Sequence, residues 1–317
     1  MNGMQHRIPL QINIPTKTFV LGEYAVLLGQ PALMLAHEPF FSVTVNRIHS
    51  DAPVHSSFHP ESPAGRWVTE HRDAFQGLCL DLSDPLGGIG GLGRSSAEFI
   101  GVWWALHQLN DLSESIELKQ LYMDYLNCSK TSGQFQPSGV DVLTQCVGGG
   151  LLSAQVKSSP SFKNIQVHPL EWPFDSMKIM LMHTQTHCST AEHVATLTKI
   201  PQELSDSTHQ GIQAIKDKSQ SKFLSAIESF VHAQALASLI TPDALNWIDQ
   251  ISALEGVYGV KGCGALGSDV MILFYNPQFE FKLMQASLSL GLLPIGIDSK
   301  QTSGAFVQPL HRGTRRV

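Results

Sequence analysis

The sequence predicts an α+β protein in two layered halves with a cleft between them, and three observations carry that expectation. With 317 residues, of which 43% are hydrophobic, the chain can bury a sizeable core, and its length corresponds to about two domains. Charged residues make up 15%, well below the roughly 25% usual for soluble domains, which excludes a disordered chain. Short β-prone runs and helical stripes are mixed in both halves, and the composition turns to Ser, Pro and polar residues between Ser158 and Pro173. The expected division is therefore residues 1–170 and 171–317.

The elements follow in order. Ile8 to Val20 is apolar and β-prone, Gly22-Glu23-Tyr24 interrupts it, and Ala32 to Val45 resumes it, which predicts strands joined by turns. His49 to Arg66 has no periodicity and reads as a surface loop or irregular hairpin without assignable chemistry. The run from Asp84 to Gly93 cannot be regular structure, because its glycines admit positive φ and a close approach to a ligand. Ser95-Ser96-Ala97-Glu98 then has the spacing of a capping box, and Phe99, Ile100, Trp103, Trp104 and Leu106 recur at helical steps. A second helix is expected near Leu118 to Leu126, followed by the turn Gln136-Pro137-Ser138-Gly139-Val140-Asp141. In the second half, Met177 to Met182 reads as a strand and Thr190 to Leu239 as helices broken near Pro201. Val257 to Tyr275 holds a glycine-rich turn between two β-like runs, and Phe281, Met284 and Leu288 predict a last helix ending at Gly291.

Charge and cysteine usage bound the function. The formal net charge of -6 disfavours a nucleic-acid binder, and the basic tail from His311 to Arg316 reads as a solvated end. The five cysteines, Cys79, Cys128, Cys146, Cys188 and Cys263, are odd in number and never two residues apart, so they read as reduced thiols of a cytosolic protein. The apolar stretch after Lys17 superficially resembles a secretory signal, but Glu23 and its turn glycines oppose that reading. No apolar run approaches the roughly 18 residues of a membrane helix, so the expectation is a cytoplasmic protein that contacts neither membrane nor nucleic acid.

Three groups of residues could carry chemistry. The loop Gly87 to Gly93 leads into a helix N-terminus, where unpaired backbone N–H groups and the helix dipole favour an anion, phosphate above all. Ser95 and Ser96 could add hydroxyls to a phosphate or its magnesium. A flexible turn whose serine merely caps the helix is the competing reading, and the spacing fits neither the Walker loop nor the dinucleotide fingerprint. Lys17 and Asp141 stand out as charges in apolar or turn-rich settings; together they could activate a hydroxyl, and apart they are a surface residue and a cap. His183, His187, Cys188 and His193 lie close enough for a metal, but no fourth ligand is clear, and a Cys188–His193 nucleophile pair lacks any orienting element.

Taken jointly, four segments resemble the GHMP small-molecule kinases. Ile14 to Leu33, with Lys17 and Gly22-Glu23-Tyr24-Ala25-Val26, is similar to their first motif, and Pro85 to Ala97 to their phosphate loop. Pro137-Ser138-Gly139-Val140-Asp141 with Gly148-Gly149-Gly150 resembles the segment carrying their catalytic aspartate, and Val260 to Asp269 their third motif. The resemblance spans residues 14 to 275 in family order and leans to the isoprenoid branch. Pro137 to Asp141 and Gly296-Ile297-Asp298 are closest to mevalonate kinase, whereas Tyr24 and Asp269 lean to phosphomevalonate kinase.

This resemblance implies a ribosomal-protein-like N-terminal domain and a ferredoxin-like C-terminal domain with the site between them. It implies an ATP- and Mg²⁺-dependent transferase acting on mevalonate, with phosphomevalonate as the alternative acceptor, and it leaves a homodimer open. Lys17 and Asp141 would be the catalytic pair. Gly91, Leu92, Gly93, Ser95, Ser96, Gly264 and Gly267 would hold the nucleotide, Ser96 also touching magnesium. Glu23, Tyr24, Thr184, Ser189 and Thr190 would line the acceptor side. Four departures oppose a simple assignment: Arg94 is inserted in the G-L-G-S-S string, Leu266 and Ser268 replace glycines, and Lys130 stands where mevalonate kinases carry a magnesium-binding glutamate. Either Arg94 or Lys130 takes over charge neutralisation, or the fold has become a non-catalytic binding protein. An ATP-using decarboxylase is a weaker third reading.

Overall fold

The computed structural model describes residues 8–49, 52–110, 117–130, 137–156, 165–186, 200–295 and 302–309. The first half contains β1 (Leu10–Leu21), a 3-10 turn at Ala25–Leu28, β2 (Ala32–Arg47), β3 (His55–Ser56), α1 (Pro63–Glu70), β4 (Leu78–Ser83), α2 (Arg94–Leu109), α3 (Leu118–Cys128), α4 (Val140–Val147), β5 (Leu151–Val156) and β6 (Ile165–Pro169). The second half contains β7 (Lys178–His183), α5 (Gln202–Lys216), α6 (Gln220–Leu236), α7 (Pro242–Ser252), β8 (Val257–Cys263), β9 (Val270–Tyr275), α8 (Glu280–Ser289) and β10 (Leu293–Ile295), and β11 (Phe306–Pro309) ends the described chain. No helix of the described residues is long and apolar enough to cross a membrane.

Two sheets organise these elements. The larger runs β11-β1-β2-β4-β3, with β5 joined to β2 and β6 to β5; the smaller runs β10-β7-β9-β8. The smaller order, with helices between its first and second and its third and fourth strands, is a ferredoxin-like β-α-β-β-α-β pattern. On the edge away from β1, strand β2 serves two neighbours because it is long: Ala32 to Leu35 pair with β5 and Ser42 to Arg47 with β4. Strands β1 to β6 lie in the larger sheet and β7 to β10 in the smaller. β11 returns to pair with Leu10 to Asn13 of β1, and Gly148 bridges Ser303. Such a pairing between chain ends leaves no local pattern in the sequence.

Packing follows from which faces are apolar. Ile12, Ile14, Phe41, Val43 and Val45 project from the first sheet onto Phe99, Ile100 and Trp103 of α2. The helix sits close because residue 101 is glycine: a Cβ there would lie 2.2 Å from Val43 Cγ2. The Trp103 indole N–H, turned toward α3, donates to Asp124 at 2.8 Å, which satisfies a polar atom brought into the core. A second core joins the sheets, since Val20, Leu21, Leu33 and Leu35 pack with Leu181, Phe223, Phe230, Ile272 and Phe274. The end of β1 is thereby fixed against the second half.

Three local expectations change. The stretch from His49 to Arg66 contains the short edge strand β3 and the start of α1, which Ser62 caps by accepting from Gly65 N–H at 3.1 Å. Helix α2 begins at Arg94 with Gly93 in the left-handed region and no side-chain cap, so the capping box expected at Ser95 does not form. In α8 the residues that gave the periodicity, Phe281, Met284 and Leu288, are 73%, 38% and 56% exposed, while Leu283 and Ser287 face inward.

One buried group links this fold to pH. His37 on β2 is fully buried between Thr16 and Thr18; Nδ1 lies 2.8 Å from the Glu38 carbonyl and Nε2 3.0 Å from Thr18 Oγ1. Burial lowers its pKa to about 4. Between that value and an ordinary histidine value near 6.5 the unfolded chain binds the extra proton, so stability falls as pH drops through the window. The expected loss is about 3 kcal/mol by pH 4, from a shift of roughly 2.5 units. Denaturant titrations of the wild type and His37→Asn from pH 8 to pH 4 check this: the variant should lose less stability, and parallel curves would contradict it.

Candidate active site

Lys17 and Asp141, 124 residues apart, meet at the junction of β1, the glycine loop and α4. Lys17 lies just after a register shift between Pro15 and Thr16, and its backbone N–H donates to the Leu92 carbonyl at 3.1 Å, which stitches the loop to β1. Its ammonium stands 3.2 Å from Asp141 Oδ2, 3.4 Å from the Gly91 carbonyl and 5.1 Å from the Phe19 ring centre. The Lys17 side chain is 7% exposed and that of Asp141 33%, so the carboxylate is the more accessible partner. Asp141 occupies the first turn of α4, where the helix dipole favours its charge.

The loop has the shape of an anion cradle. Gly87, Gly88, Gly91 and Gly93 all have positive φ, and the first turn of α2 follows with N–H groups that have no helical partner. At Gly93 the requirement is twofold: φ is +89°, and a Cβ would lie 2.8 Å from Lys17 Cγ and 2.9 Å from Gln145 Nε2. Asp84 ties the loop back on itself by accepting from Leu86 N–H and Gly88 N–H, each at 2.9 Å. Arg94, the inserted residue, pairs with Asp84 at 3.3 Å and Glu98 at 3.0 Å. Its charge is thus engaged by two carboxylates. Lys130 is also turned elsewhere, donating to Asn127 Oδ1 at 3.1 Å on exposed surface.

Ser96 is buried, and Ser95 beside it is exposed. The Ser96 hydroxyl donates toward Gln145 Oε1 at 2.6 Å and the Gly93 carbonyl at 3.0 Å. Both neighbours are acceptors, so the hydroxyl proton is directed to them. Gln145, absent from the sequence-based set, also donates to the Pro15 carbonyl at 2.8 Å and thereby ties α4, β1 and the loop together. Nothing in its local sequence distinguishes it from a helix-surface glutamine.

The third glycine turn closes the opposite side. Gly264 and Gly267 have φ of +85° and +62°, and Leu266, where the related motif has glycine, is also left-handed at +54°. Leu266 is held there from both ends: its N–H donates to the Tyr24 hydroxyl at 2.9 Å, and its carbonyl accepts from Thr241 N–H at 3.1 Å. Asp269, buried, stands between the two loops; Cβ atoms on Gly91 and Gly264 would lie 3.4 Å and 3.3 Å from its Oδ2. The Thr184 hydroxyl donates to the Ser268 carbonyl, with the Asp269 carbonyl 3.0 Å away, so it anchors this turn. Ser189 and Thr190 lie outside the described residues, as do His187, Cys188 and His193 of the histidine cluster.

Glu23 points into the same junction and is buried. Lys261, itself fully buried on β8, pairs with Glu23 Oε1 at 2.5 Å and donates to the Gly262 carbonyl at 2.7 Å. Glu23 Oε2 has no hydrogen-bond partner among the described residues. Burial raises the Glu23 carboxyl above its ordinary range, and Lys261 opposes that shift. Lys261 was legible on the criterion that marks Lys17, a lone charge in an apolar run, but only the folded chain shows its partner.

Comparisons with known proteins fit this geometry. No protein-family model matches the sequence, and no curated protein matches it. Solved structures do match over nearly the whole chain. The mevalonate kinase of Methanococcus jannaschii is 14% identical with a TM-score of 0.72, covering 94% of this chain and 100% of that one. The Streptococcus pneumoniae phosphomevalonate kinase, solved in complex with phosphomevalonate and AMPPNP, is 16% identical with a TM-score of 0.73, covering 91% and 99%. The Lactococcus lactis galactokinase complexed with galactose is 11% identical with a TM-score of 0.67, covering 96% of each chain. At these identities the likeness is one of fold, and the fold is that of the GHMP kinases.

Proposed function

We propose that the protein is an ATP-dependent small-molecule kinase that phosphorylates mevalonate in isoprenoid precursor synthesis, with 5-phosphomevalonate as the alternative acceptor. The observation that carries this reading is the Lys17–Asp141 pair, 3.2 Å apart, at the mouth of a glycine loop that opens onto a helix N-terminus. Phosphoryl transfer leaves little covalent work to the protein, so what it needs is a cradle for phosphates and a means of handling one proton. The reading takes 1–170 and 171–317 as the two units enclosing the site in a cytoplasmic enzyme, with β11 reaching back from the second to pair with β1.

The residues present fit the nucleotide. At Gly87 a Cβ would meet nothing within 4 Å, and the loop and α2 together present backbone donors to an anion. Gly91, Leu92, Gly93, Ser95 and Ser96 would hold the phosphates, with Gly264 and Gly267 on the opposite wall. Ser96 Oγ, whose proton is directed to the Gln145 and Gly93 oxygens, could offer a lone pair to magnesium. The metal would offset charge on the transferring phosphoryl group.

On this reading Asp141 accepts the proton of the acceptor hydroxyl as its oxygen becomes a nucleophile. Lys17 offsets the charge that develops there, and its contact with the Gly91 carbonyl keeps it oriented between acceptor and loop. Glu23, Tyr24 and Thr184 would shape the acceptor side, Tyr24 and Thr184 through the third glycine turn. With 5-phosphomevalonate the acceptor is already an ionised phosphate oxygen, and Asp141 then orients instead of deprotonating.

A non-catalytic binding protein on this fold is the second reading, motivated by Leu266 in a backbone region that favours glycine. One screen separates the readings: ADP release from Mg-ATP with mevalonate, phosphomevalonate and diphosphomevalonate. The expected result is ADP formation with mevalonate or phosphomevalonate. A folded sample with no turnover, no thermal shift on Mg-ATP and a shift on an isoprenoid intermediate would replace the kinase reading with the second.

A further inference from the structure

Outside this junction, one cluster of side chains among the described residues has ligand chemistry that phosphoryl transfer does not use. It lies at the edge of the larger sheet. β3 pairs in parallel with β4, placing His55 beside Cys79, and Asp81 projects from the same face of β4 two residues on. On the other side of β4, the antiparallel register with β2 sets Asn46 across from Cys79 and Thr44 across from Asp81. A polar row thus crosses the sheet edge, with a thiol at its centre.

The distances are those of a preformed donor set. His55 Nδ1 stands 3.2 Å from Cys79 Sγ, and the thiol donates to Asp81 Oδ2 at 3.1 Å. One ligand atom from each residue lies within 4.8 Å of the others, with His55 exposed and Cys79 and Asp81 half-buried. Zinc bonds of about 2.3 Å to sulfur and about 2.0–2.2 Å to nitrogen or oxygen put tetrahedral ligand atoms roughly 3.5 Å apart. The two contacts to sulfur reach that spacing by opening a few tenths of an ångström, and the His55 and Asp81 ligand atoms, within 4.8 Å of each other, reach it by side-chain rotation at the exposed imidazole.

We propose that His55, Cys79 and Asp81 form a zinc site that pins the edge strand β3 to β4. The donor set selects the metal: a thiolate and an imidazole favour zinc over magnesium or calcium, which prefer oxygen throughout. Binding replaces the Cys79 S–H bond with an S–Zn bond, and the proton passes to solvent by way of the Asp81 carboxylate that already accepts it. Thiolate and carboxylate then balance the ion's charge, and water completes the fourth position. A cross-link suits this place because β3 has only two residues, too few for a strand to hold its register alone. The site shares no residue with the Lys17–Asp141 pair or the glycine loops and does not depend on the kinase reading.

Metal-free full-length protein titrated with Zn²⁺ should bind one equivalent at this site, and Co²⁺ in its place should give a thiolate-to-metal charge-transfer band. Cys79→Ser should weaken Zn²⁺ binding more than about 100-fold, beyond the effect of losing a merely supporting group, and abolish the band. His55→Ala should weaken binding at least about 10-fold, while Cys188→Ser leaves affinity and band unchanged. Circular dichroism of the metal-free variants keeps a folding defect from passing as a binding defect. The proposal fails if the wild type binds no zinc, if Cys79→Ser binds it equally, or if the band disappears with Cys188→Ser.

Discussion

Asp141→Asn is expected to lower turnover by about 10²- to 10⁴-fold, the range for removing a positioned proton acceptor, while leaving nucleotide affinity nearly unchanged. Asparagine keeps the volume and can still accept a hydrogen bond from Lys17, so only basicity and charge are lost. The carboxylate is the accessible member of the pair and does not belong to the loop that would hold phosphates. Nucleotide binding should therefore be insensitive to it. Lys17→Met should cost a similar factor, and the double variant little more than either single one, because residues acting as a unit are non-additive. ADP-release kinetics with parallel nucleotide titrations measure all three. Undiminished turnover in Asp141→Asn on mevalonate would reject the assigned base. The same result on phosphomevalonate alone would leave the residue in an orienting role.

The parts of this site that were legible in the sequence are those whose reason is local. Lys17 stands out because a charge interrupts an apolar strand, and the loop because glycines recur where no strand or helix could use them. Fold class was legible for the same reason, since β1, β2, α2, β8 and β9 each carry their own periodicity. What was hidden depends on partners far along the chain. Gln145 becomes a tie only when Pro15 and Gly93 arrive beside it, and β11 becomes a strand only on reaching β1. Periodicity in α8 located the helix but not its buried side, because apolar spacing does not say which face has a neighbour. Arg94 looked disruptive as an insertion, yet it occupies the first helical position and is held by carboxylates on either side of the loop. His55 belonged to a stretch without a pattern, and only strand register sets it beside Cys79.

The largest expected loss of stability comes from breaking the buried Glu23–Lys261 pair at the edge of the site. Lys261→Met leaves Glu23 buried without its cation, which typically costs about 3–5 kcal/mol. The ion pair joins the turn after β1 to β8, so the cost falls on the contact between the two sheets. Its pH dependence has a definite sign. Burial already raises the Glu23 carboxyl, and removing Lys261 raises it further. Above the unfolded carboxylate value the native state then holds a proton that the unfolded chain has released, so stability falls as pH rises through the folded value and returns as pH falls below both. The deficit should be larger at about pH 8 than at about pH 5. Glu23→Gln added to Lys261→Met should restore much of the loss, because a neutral amide bears burial better than an unpaired carboxylate. Urea titrations of the wild type, Lys261→Met and the double variant at both pH values test this, and equal deficits without rescue would show the pair to be energetically idle. In the rescued double variant, a raised KM for the acceptor with unchanged nucleotide affinity would assign Glu23 to acceptor binding in addition to its structural pairing; an unchanged KM would confine it to the latter.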